Sequence, residues 1–185
     1  MRRTHWYPDV VSTYPIRLFG DPVLKQRSRE VEDIDGALEQ LVRTMYDTMY
    51  EAVGLGLAAP QVGVQRRVFT YAGGDGPHAV VNPVVVETAG EWVYDEGCLS
   101  VPGLSFEIAR PQRVVIQGLD VHGHELVLED DEMLGRVFLH EIDHLDGVLV
   151  LDRVEPEVRR QALKAIREQD LVSAGPRPAE GGPRL

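Results

Sequence analysis

The sequence predicts an α+β fold, with mixed or antiparallel sheets packed around a central metal-binding helix. Three observations predict it. Mid-chain segments read as short strands separated by turn residues, whereas two or three longer segments repeat apolar residues at three and four, the helical period. Strands and helices do not alternate regularly, as they would in a doubly wound sheet. Finally, one helix carries His140-Glu141-Ile142-Asp143-His144 within a broad apolar surface made by Leu134, Val137, Phe138, Leu139, Ile142 and Leu145.

Residues 1–35 mix Pro8, Pro15, Gly20 and Pro22 with short apolar pieces and read as an extended arm with turns. Asp35 is a plausible N-cap for an amphipathic helix over 36–53, carried by Leu38, Leu41, Val42, Met45, Met49 and Val53 and ended by Gly54. Residues 54–63 form a small-residue loop that lacks the frame of a dinucleotide-binding turn. Strands are expected over 67–72 and 79–87, with a turn at 73–77 and an edge position or bulge at Pro83. A short extended piece at 92–94 leads into a turn-rich stretch, 95–103, that holds the single cysteine. Strands follow at 104–109, 113–121 and 125–128, with a hairpin turn at 122–124. The next helix is expected over 130–145, with Glu129, Asp130, Asp131 and Glu132 complementing its dipole and Gly147 stopping it. A final helix spans about 156–170. The expected organisation is one catalytic domain over 1–170, with an N-terminal arm at 1–11 and a disordered Gly/Pro-rich tail at 171–185.

Composition narrows the function classes. A formal net charge of −11 makes generic binding to DNA or to an anionic membrane unfavourable. One cysteine excludes an internal disulfide and fits a reducing compartment. No signal-peptide pattern and no apolar run of membrane-spanning length is visible, so the expected location is cytoplasmic.

The central motif carries the chemistry. On a helix, His140 and His144 stand one above the other and can share a metal ion. Glu141 lies about 100° round, where it can act as a general base on water. A catalytic site of this type takes three protein ligands and leaves one position open. A third histidine in the metzincin pattern would fall at residue 150, which is Val150. Glu168 would serve a thermolysin-like site. His122 and His124 flank a turn glycine, and His5 and His78 sit in loops. Cys98 ranks first among these: it sits in a polar turn, and a divalent cation would stabilise its thiolate. A buried structural cysteine is the competing explanation.

Three ordered stretches resemble the peptide deformylase family. They are Gly54-Leu55-Gly56-Leu57-Ala58-Ala59-Pro60-Gln61, Glu96-Gly97-Cys98-Leu99-Ser100 and His140-Glu141-Ile142-Asp143-His144. The resemblance covers about residues 12–170, and the ordered set is far more specific than any one motif. It implies that Cys98, His140 and His144 hold one divalent metal per chain, Fe2+ first, with Ni2+, Co2+ or Zn2+ accepted. It implies hydrolysis of the formyl group on nascent formyl-methionine peptides, with Glu141 moving the proton and Gln61 and the Leu99 N–H stabilising the oxyanion. Leu55 and Gly56 would pair with the peptide backbone, and Glu96 with Arg110 would form a supporting ion pair. Val137, one turn before His140, is a candidate wall of the methionine slot, although core packing explains it equally well. The family's C-terminal segment can dock on the ribosome, which makes the final helix a candidate docking element. Leu139 departs from the family's usual Gln, and altered packing beside the metal is expected there with the ligand set unchanged. The alternatives are a thermolysin-like metallopeptidase and a non-catalytic metal- or peptide-binding module of the same fold.

Overall fold

The computed structural model describes residues 12–73 and 76–173. They fall into two compact units that meet in sequence between Val150 and Leu151. The N-terminal arm over 1–11 and the tail beyond Ser173 lie outside the described residues.

In the first unit, helix α1 runs from Gly36 to Glu51, and Asp35 caps it by accepting the N–H groups of Ala37 and Leu38 at 3.1 and 3.0 Å. The helix ends before the expected Gly54. Val53 takes a left-handed φ of 57°, and the N–H groups of Val53 and Gly54 bond back to Tyr50 and Met49. This is a left-handed C-terminal cap with valine where glycine is usual.

Among the described residues seven strands follow: β1 (Gly56–Ala58), β2 (Val68–Gly73), β3 (Gly76–Ala89), β4 (Trp92–Cys98), β5 (Val101–Arg110), β6 (Arg113–Leu119) and β7 (Glu125–Asp130). Five form an antiparallel sheet in the order β1-β2-β3-β6-β7, and β4-β5 is a separate hairpin. The bulge signalled by Pro83 is present, as a register shift between Val81 and Val84. Beside it Asn82 adopts φ 51° and brackets Val31 through two side-chain hydrogen bonds.

The turn-rich reading of 95–103 is corrected. The strand continues to Cys98 and resumes at Val101, leaving only Leu99 and Ser100 as the turn. Gly97 and Gly103, which suggested a loop, sit within the paired strands. The register shifts next to Gly97, and Gly103 has φ 78°. Glycine in a strand often marks such an irregularity.

The five-stranded sheet has two covered faces. Leu57, Val68 and Val81 pack with Leu38, Leu41, Val42, Met45 and Met49 of α1. Their neighbours Ala58, Phe69 and Val80 pack, with Tyr71, Val114 and Ile116, against Val137, Phe138, Ile142 and Leu145. The period-two alternation of strand side chains thus assigns one face to each helix. Helix α2 spans Met133–Leu145, starting later than expected. The acidic residues precede it rather than enter its first turn. Asp130 reaches across from the end of β7 to accept the N–H groups of Glu132 and Gly135, both at 2.9 Å. At the other end Gly147 (φ 75°) closes the helix as expected, and Arg67 donates to Asp146 (2.6 Å) and to the Leu145 carbonyl (3.4 Å).

In the second unit, helix α3 runs from Pro156 to Ser173, past the expected end near 170. Arg159 pairs with Asp152 at 3.3 Å, Arg160 with Glu157, and Lys164 with Glu168 at 3.9 Å. No helix among the described residues is long and apolar enough to cross a membrane.

Candidate metal centre

Helix α2 and the β4–β5 turn meet at one point. There the Cys98 sulfur and one nitrogen from each of His140 and His144 lie within 4.8 Å of one another. The Cys98 Sγ is 3.2 Å from His144 Nε2. The two imidazoles, one helical turn apart, stand with centroids 4.9 Å apart. No other such cluster of His, Cys, Asp and Glu occurs among the described residues. The other third-ligand candidates are elsewhere. Glu168 is an exposed residue of α3, His124 pairs with Asp120 at 2.9 Å, His122 is exposed, and His78 stacks on Tyr71 at 5.1 Å. His5 lies outside the described residues.

Glu141 is buried, and its Oε2 has no hydrogen-bond partner. Burial raises its pKa to about 7; His140 and Arg110 oppose the shift and Glu96 adds to it. His144 Nδ1 is a second buried polar atom without a partner. Unmet buried groups of this kind are costly. A thiolate and two imidazoles beside a free carboxylate oxygen suit a divalent first-row metal with water next to it. The donor set therefore fits a metal ion.

Gly56 of β1 lies against this carboxylate. A Cβ there would sit 2.3 Å from Glu141 Oε1 and 2.8 Å from Val137 Cγ1. The resemblance has Gly56 pairing with a peptide backbone; in the structure the nearer constraint on it is room for Glu141. Val137 is both a core residue and a neighbour of Gly56. Leu55 is half exposed, and its carbonyl accepts the Ala72 N–H at 2.9 Å. Gln61 is buried; its Oε1 accepts the Ala58 N–H at 2.8 Å. This turns its amide nitrogen towards Ser100 Oγ (3.2 Å) and Cys98 Sγ (3.9 Å). Leu99 is partly buried against the α1 core. Leu139 is partly buried and makes an apolar contact with the α2 core.

The Glu96–Arg110 pair belongs to a larger buried network. Arg110 grips Glu96 through two bonds, at 2.8 and 2.6 Å, and holds Asp143 at 3.0 Å. Arg136 donates to Glu96 at 2.9 Å, and His140 Nδ1 lies 2.6 Å from Glu96 Oε1. Burial alone would raise the Glu96 pKa, but the Arg110 and His140 contacts hold it far below the ordinary carboxylate value. Burial opposes a charge on His140, yet Cys98 and Glu96 raise its pKa well above normal; burial and His140 together lower that of His144. Arg136 and Asp143 went unnoticed in the sequence. The signal was present, since 136, 140, 143 and 144 fall along one face of the helix, a polar stripe through apolar residues.

Comparisons with known proteins identify the family. The model of the polypeptide deformylase family matches residues 13–160. The chain is 44% identical over 173 residues to a peptide deformylase of Acidothermus cellulolyticus, covering 90% of this chain and 96% of that protein. Its fold is similar to the crystal structure of a peptide deformylase from Legionella pneumophila, with a TM-score of 0.84, 33% identity, and coverage of 90% of this chain and 100% of that one. It is also similar to the peptide deformylase of Ehrlichia chaffeensis in complex with actinonin, with a TM-score of 0.82, 36% identity, and coverage of 86% and 98%. With the family match spanning both strand motifs and the helix that carries the histidines, the chain belongs to the polypeptide deformylase family.

Proposed function

We propose that this chain hydrolyses the formyl group of N-terminal formyl-methionine on newly made peptides, releasing formate. The observation that carries this reading, beside the family match, is the buried Glu141 carboxylate, whose Oε2 has no hydrogen-bond partner, together with the cluster of Cys98, His140 and His144. A divalent metal held by those three residues supplies Lewis acidity when bound, acidifying water and polarising the formyl oxygen. Glu141, with its pKa raised to about 7, accepts a proton from the attacking water and passes it to the departing amine nitrogen as the C–N bond breaks. The Gln61 amide and the Leu99 N–H donate to the oxygen that gains charge; one such donor is worth about 100- to 1000-fold in rate. Among the described strands β1 pairs only with β2, so the edge at Leu55–Gly56 is available for an added peptide strand. Val137 borders the methionine side chain, and Glu96 with Arg110 steadies the Cys98 hairpin.

Fe2+ is the native metal, with Ni2+, Co2+ and Zn2+ as substitutes. Residues 1–170 work as one catalytic domain, supported by a family match that crosses Val150. The substrate places the activity in the cytoplasm, and actinonin binds here as in the Ehrlichia relative. Ribosome docking through α3 has to use a helix on which Arg159, Arg160 and Lys164 already face acids.

The test is anaerobic loading with Fe2+ or Ni2+, followed by formyl-Met-Ala-Ser. Formate with intact Met-Ala-Ser is expected. Absence of turnover overturns the proposal, and cleavage at the Met–Ala bond favours the peptidase alternative.

A further inference from the structure

We propose that Arg136 is a positioning residue for His140, acting through Glu96; the inference rests on the ligand set Cys98, His140 and His144. Arg136 is 3% exposed and lies one helical turn before His140. Its Nη1 donates to Glu96 Oε2 at 2.9 Å and to the Ile108 carbonyl at 3.1 Å, and its Nη2 donates to the Trp92 carbonyl at 2.5 Å. The guanidinium also lies under the rings of Trp92 and Tyr94, 5.0 and 5.8 Å from their centroids. It is therefore anchored to both strands of the β4–β5 hairpin.

An ionised carboxylate offers about four lone-pair sites. On Glu96 all four are used. Oε2 takes Arg110 Nε and Arg136 Nη1, and Oε1 takes Arg110 Nη2 and His140 Nδ1. A carboxylate saturated in this way has no freedom to turn. Because it only accepts, the proton of neutral His140 sits on Nδ1, and Nε2 keeps its lone pair for a metal. Without Arg136 one site on Oε2 falls vacant. The carboxylate can then rotate, and the Oε1 bond that aims His140 loosens with it. Two guanidinium groups, Arg110 and Arg136, balance the carboxylates Glu96 and Asp143.

One detail argues against a role in stability alone. Arg136 Nε is buried with no partner. An unmet N–H on a buried cation is a cost. The fold carries that cost next to a ligand histidine, while its aliphatic core could have filled the space.

The test measures Co2+ affinity by chelator competition, with unfolding of the metal-free protein in parallel. The variants are Arg136→Met, Arg136→Lys and Trp92→Leu. Arg136→Met is expected to weaken Co2+ binding about 10- to 100-fold, and to lower kcat while leaving KM within about two-fold. Arg136→Lys keeps a donor for Glu96 but loses the fork, and should fall between Met and wild type. Trp92→Leu removes the ring but keeps the carbonyl; it should lower stability and leave Co2+ affinity within about two-fold. Affinity of Arg136→Met within about two-fold of wild type overturns the inference, as does affinity that merely tracks stability across all three. If Arg136→Met does not fold, Arg136→Lys decides: affinity equal to wild type overturns the inference, and weaker affinity with an intact fold supports it. A wild-type protein that binds no Co2+ overturns the ligand set itself, and the inference with it.

Discussion

Gly56→Ala adds one methyl group, and the structure says where it goes. The new Cβ would lie 2.3 Å from Glu141 Oε1 and 2.8 Å from its carboxyl carbon, with Val137 Cγ1 at 2.8 Å on the other side. Gly56 does not use a left-handed φ, so alanine fits the backbone and the conflict is purely one of space. The backbone cannot easily retreat, because β1 is registered against β2 at Gly56–Tyr71 and the Leu55 carbonyl is bonded to Ala72. Restoring an ordinary contact of about 3.4 Å asks the carboxylate to move by about 1 Å. Misplacing a catalytic group by about 1 Å costs on the order of 100-fold in rate. The expected result is a kcat for formate release lower by about that factor, with metal content unchanged because no ligand is touched. Gly54→Ala is the comparison. Its Cβ meets only the side-chain tip of Leu99 at under 3 Å, and that tip can rotate away, so a loss below about ten-fold is expected. A Gly56→Ala enzyme with wild-type kcat would refute the reasoning that Glu141 is held in one place by the bare strand.

Cys98→Ser should strip metal and formate release together, as seen by elemental analysis and turnover; retained metal would overturn Cys98 as a ligand. In the metal-free protein, Glu141→Gln should be the more stable form at pH 8. The Glu141 pKa rises from 4.5 unfolded to about 7 folded, so wild type loses stability as pH climbs through that window. The gap should reach on the order of 3 kcal/mol above pH 7 and vanish below pH 4.5, measured by denaturant unfolding. Val53→Gly should stabilise by about 1 kcal/mol, a Tm rise of about 2–4 °C, because exposed Val53 holds a left-handed φ of 57°. An unchanged or lower Tm would mean that the valine contributes contacts the exposed position does not suggest.

Much of this was legible in the sequence for physical reasons. The 3.6-residue period of Leu38 to Met49 and the cap at Asp35 fix α1, and the i, i+4 spacing of His140 and His144 puts two imidazoles on one face. Pro83 announced its bulge. Spacing alone could rank Cys98 but not place it, since the approach of β4–β5 to α2 is a long-range contact. The Gly97–Gly103 stretch misled because glycine signals loops and strand irregularities alike. Val53 concealed the end of α1, as a β-branched residue is rarely found in a left-handed cap. The role of Gly56 was half visible. The resemblance puts it beside the peptide backbone, but only the packed structure names Glu141 as the neighbour. The buried network failed to show because Arg136 and Asp143 look like ordinary helix charges until Glu96 arrives from another strand.

If Glu141 moves the proton at a metal site built by Cys98, His140 and His144, metal content and formate release should part company when both are measured on one preparation of Glu141→Gln. The variant should hold one metal ion per chain, as wild type does, with turnover lower by about 100- to 10,000-fold. Turnover at the wild-type rate by the metal-loaded variant would show that another group carries the proton.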